Sequence, residues 1–187
     1  MSGRVGVSEQ VGKSGIIGGV GITHVDTWNL GTGFTGNVDT VVNWVRVTTG
    51  SGTHYKWGSQ GAPMTYSTGV FTFPAAGLWL VELSVYFELD ADDTPTRFLG
   101  CHLYISPDGG SNWPKVATGA GNLDSVMTDT SYMQAQCSAI QTCTTSSTVK
   151  TSVSQAGSTQ GRVTGTGFGS TSDNTLRSWI HFIRLVN

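Results

Sequence analysis

Chemistry needs groups that ionise, ligate or attack, and this 187-residue chain holds few of them: twelve Asp plus Glu, ten Lys plus Arg, four His and three Cys. The densest acidic group is Asp90-Ala91-Asp92-Asp93, whose carboxylates are the hard oxygen ligands that calcium prefers. One loop does not complete a calcium shell, so Asp90, Asp92 and Asp93 make only a partial metal site. They read better as a solvated loop whose charge blocks edge-to-edge strand pairing. His24, His54, His102 and His181 are scattered, with no companion at ligand spacing. His102 and His181 fall on strand patterns and read as partly buried or interface residues. Cys101, Cys137 and Cys143 form no CxxC pair and read as buried or neutral thiols, not as zinc ligands or a disulfide framework. Gly12-Lys13-Ser14 imitates the end of a phosphate loop, but Val7 stands where the first glycine is required and too few residues precede it to form a launching strand. There is no Gly-x-Ser-x-Gly elbow for a serine nucleophile. With several of the twelve acids in turns, a pair of carboxylates for glycoside hydrolysis is poorly supplied. The expectation is a protein that is not an enzyme and uses no cofactor.

Binding is better provided for. Tyr55, Trp57, Tyr104 and Trp113 sit in or beside segments rich in turn residues, where a flat aromatic face can stack on a ligand such as a sugar ring. The run Ser106-Pro107-Asp108-Gly109-Gly110-Ser111-Asn112-Trp113 resembles an Asp-box, the hairpin turn of sialidase-type propellers and other β proteins, with Asn112 in place of the usual Thr. That resemblance implies a structural turn in which Asp108 accepts hydrogen bonds, a glycine supplies positive φ and the tryptophan packs beneath.

The elements that must carry these residues are strands. Charged residues make up 12 % of the chain, about half the usual share, while Gly numbers 26 and aromatics reach 10 %. A formal charge of -2 with no basic run leaves no footprint for a phosphate backbone, and the aromatic content excludes a disordered tail. The most apolar stretch, Leu78 to Leu89, is broken by Glu82 and Glu88 and is too short to span a bilayer as a helix. In that stretch Trp79, Val81, Leu83, Val85, Phe87 and Leu89 alternate with Glu82, Ser84 and Glu88, as in a strand with one face in the core. Leu99, Cys101, Leu103 and Ile105 share one side of a second strand, and Met133, Ala135, Cys137 and Ala139 one side of a third. Their small side chains predict closely approaching sheets. The last segment is apolar on both faces, Ile180 and Phe182 against Trp179, Ile183 and Leu185, as expected of a strand that is central or at a subunit interface. Further strands are expected at 41–47, 70–73, 149–154 and 162–168, giving an all-β, two-sheet antiparallel jelly-roll sandwich over residues 25–187. Residues 1–24 form an extended Gly-rich arm, too rich in Val and Ile for an indifferent linker and suited to docking on a partner. Glycines interrupt its apolar residues too often for a secretory signal, so synthesis in a cytoplasm is expected.

The segment Tyr66 to Trp79 carries Thr68, Gly69, Phe71, Pro74, Gly77 and Trp79 in the order of the T-G-x-F-x-x-P-x-x-G-x-Y/W run of the complement globular-head and tumour necrosis factor superfamily, which it resembles. No collagen-like Gly-X-Y stalk accompanies it. Trp28-Asn29-Leu30 and Phe34-Thr35-Gly36-Asn37 precede it as in the stalkless jelly rolls of bacteriophage virion proteins, the branch the chain looks most like. The resemblance implies a compact homotrimer, with an interface drawn from Tyr86, Phe87, Trp179 and Phe182. It implies a structural protein of a virus particle, such as a capsid decoration, spike or tail-fibre tip. Residues 1–24 would dock on other virion proteins and the loops would meet a host surface receptor or glycan. Neither nucleic acid nor membrane insertion is expected. A carbohydrate-binding, lectin-like module of the same fold is the alternative.

Overall fold

In a computed structural model of the chain, residues 22–47, 59–89, 96–123, 129–156, 162–164 and 177–186 are described. They form twelve strands: β1 His24–Leu30, β2 Phe34–Thr35, β3 Trp44–Arg46, β4 Thr65–Ser67, β5 Val70–Thr72, β6 Gly77–Leu89, β7 Thr96–Ser106, β8 Lys115–Leu123, β9 Ser131–Cys143, β10 Thr148–Ala156, β11 Arg162–Thr164 and β12 Trp179–Val186. These pair antiparallel into a seven-stranded sheet, ordered β2-β11-β6-β12-β1-β3 with β9 on the other edge of β6, and a five-stranded sheet ordered β4-β5-β10-β7-β8. The fold is a two-sheet jelly-roll sandwich. Of the arm, residues 1–21 lie outside the described residues, as do Tyr55, Trp57, His54 and the acidic loop 90–93.

The alternation that marks β6 in the sequence is what builds the core. Trp79, Val81, Leu83, Val85, Phe87 and Leu89 are all buried, and they meet Leu99, Leu103 and Ile105 of β7 and Ile180 and Phe182 of β12. β12 is central in its sheet, pairing β6 on one edge and β1 on the other; Ile180 and Phe182 face the core, while Trp179 and Ile183 lie half-buried on the outward side.

The Thr68-Gly69 step of the superfamily-like run has a local cause. Ser67 pairs with Val70, so Thr68 and Gly69 form a two-residue hairpin with φ of 46° and 86°, the pattern of a type I′ turn. A Cβ on Gly69 would lie 2.5 Å from the Thr40 methyl and 2.9 Å from the Val41 carbonyl oxygen, so only glycine fits. The hairpin delivers Phe71 to the centre of the core, where its ring meets those of Tyr66 at 4.8 Å, Phe182 at 4.9 Å and Trp28 at 5.2 Å. Trp79 is locked by its indole N–H, which donates to the Ala75 carbonyl at 3.1 Å.

Candidate functional site

Two surfaces carry the residues that the sequence singles out. The first is the outward face of the seven-stranded sheet. Strand register lays its side chains in rows. Ile140 of β9, Leu80 of β6, Ile183 of β12 and Val25 of β1 stand side by side as an aliphatic row. The next row is Ser138, Glu82, His181 and Thr27. The third is Gln136, Ser84, Trp179, Asn29 and Val45 of β3. Ile140 is 61 % exposed and Val45 52 %, although both are β-branched aliphatics on paired strands. Two aromatic pairs punctuate the face. Tyr86 and Tyr132 stack at 5.7 Å, with the Arg177 guanidinium 5.0 Å from the Tyr86 ring centre. Trp179 and His181 stack at 4.0 Å.

Charge on this face is sparse. His181 Nδ1 lies 4.0 Å from the Glu82 carboxylate, yet burial dominates and holds the imidazole pKa down to about 4, so it is neutral at pH 7. Burial likewise raises the Tyr86 hydroxyl pKa, partly offset by Arg177.

Of the four residues proposed from sequence for an interface, Tyr86 and Trp179 lie on this face. Phe87 and Phe182 do not. Both are fully buried inside the sandwich, because strand alternation turns each away from its outward-facing neighbour; Phe182 packs on Phe71 and Phe73. The sequence pointed instead past Ile140, Val45 and Tyr132, which register alone brings together.

The second surface lies on the five-stranded sheet, and it joins Tyr104 with Trp113. Lys150 of β10 and Lys115 of β8 flank Tyr104 of β7 as cross-strand neighbours. The Lys150 ammonium sits 5.3 Å from the Tyr104 ring centre and 5.0 Å from that of Trp113, and Lys115 is 5.6 Å from Tyr104. Two of the chain's four lysines thus meet over one tyrosine. The signal for them in the sequence was Lys150 standing alone among Ser, Thr and Val, on a strand whose pairing partner was not legible.

Trp113 is positioned by the turn that resembles an Asp-box. Ser106 Oγ donates to Asp108 Oδ1 at 2.6 Å and accepts from the Gly110 amide at 2.8 Å, while the Asn112 amide donates to Asp108 Oδ1 at 3.0 Å. These bonds, the one from Ser106 foremost, hold the Asp108 carboxyl below its usual pKa. Gly109 and Gly110 take φ of 74° and 98° to close the turn beside the indole. Beside it lies a cleft of about 120 Å³ between Ile105, Pro107, Pro114, Val116 and Thr142. Ordinary small-molecule pockets start near about 300 Å³, so what this end of the molecule offers is a surface.

One row inward on the same sheet, His102 is buried with both ring nitrogens satisfied, Nδ1 with Thr118 Oγ1 at 2.9 Å and Nε2 with Ser154 Oγ at 2.6 Å. Its pKa is lowered by burial and then by the Lys115 charge. A neutral imidazole bridging three strands is a fastening; with hydroxyls as its partners it has no carboxylate to orient it as a base.

No protein-family model matches the chain, and no curated protein matches it. Solved structures do. The chain is similar to the Eiger tumour necrosis factor of S. frugiperda, with a TM-score of 0.60 and 12 % identity over 89 % of this chain and 94 % of that one. It is similar to murine APRIL at pH 5.0, with a TM-score of 0.58 and 10 % identity, and to murine APRIL at pH 8.5, with a TM-score of 0.55 and 11 % identity; each match covers 87 % of this chain and 98 % of the other. At such identities the likeness is one of fold: a tumour necrosis factor-like jelly roll.

Proposed function

We propose that this chain is a structural, non-enzymatic protein of a virus particle, a bacteriophage decoration, spike or fibre tip, that assembles as a homotrimer through the outward face of its seven-stranded sheet. The observation that carries the assembly is the aliphatic row Ile140, Leu80, Ile183 and Val25, with Ile140 61 % exposed, on a face that also exposes Val45 and Tyr132 further along its strands. An antiparallel sheet with one wet face normally makes that face polar. Here a whole row across four strands is aliphatic, with the neutral His181 imidazole beside Glu82 in the next row. The virion role is supported by the sequence resemblance to phage jelly rolls, by low charge and by the Val- and Ile-bearing arm of residues 1–24, which would anchor the trimer on other virion proteins. Trimer symmetry and many copies per particle would multiply weak loop contacts to a host receptor, by about 10² to 10⁴ in apparent affinity.

Ile140→Glu tests the assembly. At a site 61 % exposed the change leaves the protomer's fold intact, within about 0.5 kcal/mol, but buries a charge in the interface. Sedimentation should show folded monomers for the variant and trimers for the parent; an unaltered trimer places the interface elsewhere. Antiserum raised against the chain should label the surface of intact particles from the source, and labelling of cell material alone overturns the virion role.

A second reading, a carbohydrate-binding module, is favoured by one observation: the Lys150 ammonium held between the Tyr104 and Trp113 rings beside Lys115. Aromatic faces flanked by lysine cations suit an acidic sugar. A glycan array probed with the full chain should light up on uronic or sialic acid glycans and fall silent with Lys150→Ala and Trp113→Ala. Binding that both variants retain removes this surface from consideration.

A further inference from the structure

Cys101 and Cys137 belong to different sheets, yet their sulfurs stand 3.8 Å apart. Cys101 points inward from β7 between buried Leu99 and Leu103; Cys137 points inward from β9 between Ala135 and Ala139 and keeps partial exposure. Backbone fixes the approach. Cys101 pairs with Gly119 across the β7–β8 ladder, and a Cβ on Gly119 would fall 2.0 Å from the carbonyl oxygen of Gln136, the residue before Cys137. The sulfurs are therefore held face to face by two strands packed at minimum distance, not by a chance pair of rotamers.

The pair also shares a proton. The hydrogen bond between them holds the Cys137 thiol below its ordinary pKa and raises that of Cys101. Cys143 lies apart, buried in the core with its thiol pushed up to about 12 and donating to the Gln141 carbonyl at 3.6 Å.

We infer that Cys101 and Cys137 form an oxidation site at which a hydroperoxide, hydrogen peroxide being the simplest, installs a disulfide that staples the two sheets together. The Cys137 thiolate attacks one peroxide oxygen; the S–O bond forms, the O–O bond breaks and the departing hydroxide takes a proton to become water. The Cys101 sulfur then attacks the Cys137 sulfur; the S–S bond forms, the S–O bond breaks and the hydroxyl leaves with the Cys101 proton as a second water. Two thiols and one peroxide give one disulfide and two waters, with two electrons passing from sulfur to peroxide. The sulfurs need only close from 3.8 Å to about 2.05 Å. A staple across 36 residues of chain restricts the unfolded state and should raise Tm by about 10 °C.

The full chain, first reduced, is treated with hydrogen peroxide, denatured, alkylated with iodoacetamide and weighed intact. Alkylation should fall from all three cysteines to one, with loss of two hydrogens, no covalent dimer and a Tm gain that dithiothreitol reverses. Cys143→Ser should fall from two alkylated sites to none. Cys137→Ala, which adopts the residue type found at 135 and 139, should keep two and show no Tm gain. Three alkylated cysteines after peroxide, added oxygen on Cys137 with Cys101 still alkylated, or a bridge that includes Cys143 would each overturn the assignment.

Discussion

At the residue scale the most constrained charge is Asp26. It is 2 % exposed, and its Oδ1 accepts from Arg46 Nε at 2.6 Å while Oδ2 accepts from the Trp28 indole at 2.9 Å and the Met64 amide at 2.8 Å. Replacing Asp26 with Asn removes the charge that pairs Arg46 and aims an amide N–H at existing donors. Urea unfolding should show a loss of about 3 kcal/mol with an unchanged m-value. None of this was legible in the sequence, because the donors come from β1, β3 and the segment before β4. His181 gives a pH signature. Its folded pKa of about 4 lies below the ordinary imidazole value of 6.5, so the unfolded chain binds the proton more tightly; its contribution is complete above about pH 6.5 and is lost as pH falls towards 4. Tm should fall across that window more steeply in the parent than in His181→Gln, and equal slopes would show that the imidazole is not held neutral. The sequence reading of His181 as partly buried was sound, since it alternates with Ile180 and Phe182, but its stacking on Trp179 needed the register of β12.

At the scale of elements, legibility followed side-chain size. The long strands β6, β7 and β9 were readable because large apolar residues alternate along β6 and β7 and small ones along β9, and the expectation that small faces mean closely approaching sheets holds where β8 meets β9. β8 itself, Lys115–Leu123, was not readable: Lys-Val-Ala-Thr-Gly-Ala-Gly-Asn-Leu has too few large residues to show alternation, and packing against β9 selects that very smallness. β1 was missed as a strand for a different reason, since its ladders run to β12 and β3, distant in sequence, while β4 is only three residues long, too short to show alternation. Gly119→Ala should accordingly cost about 2 kcal/mol or more in thermal or chemical unfolding, because its methyl would meet Gln136 backbone that cannot step aside. A neutral substitution there would show that β8 and β9 part easily. The strands also explain why Phe87 and Phe182 were misplaced as surface residues. Phe87 shares the alternating core face of β6, and Phe182 stands with Ile180 on the inward face of β12, so neither side chain reaches the outward surface.

For the whole molecule, the two sheets divide the work. The seven-stranded sheet turns an aliphatic row and exposed Val45 outward, while the five-stranded sheet carries the lysine and aromatic cluster over a rigid turn. Such a division suits an assembly in which one face is spent on self-association and the other stays available to a ligand. The architecture was legible in the sequence through the Thr68-to-Trp79 run and the alternation of β6; the candidate surfaces were legible only in part, since each is assembled across three or more strands. The central claim is the homotrimer, and the absolute mass of the full chain in solution by light scattering tests it most directly. A homotrimer gives three times the 19.7 kDa protomer, constant on dilution through the micromolar range. A mass of one protomer at every concentration would contradict it.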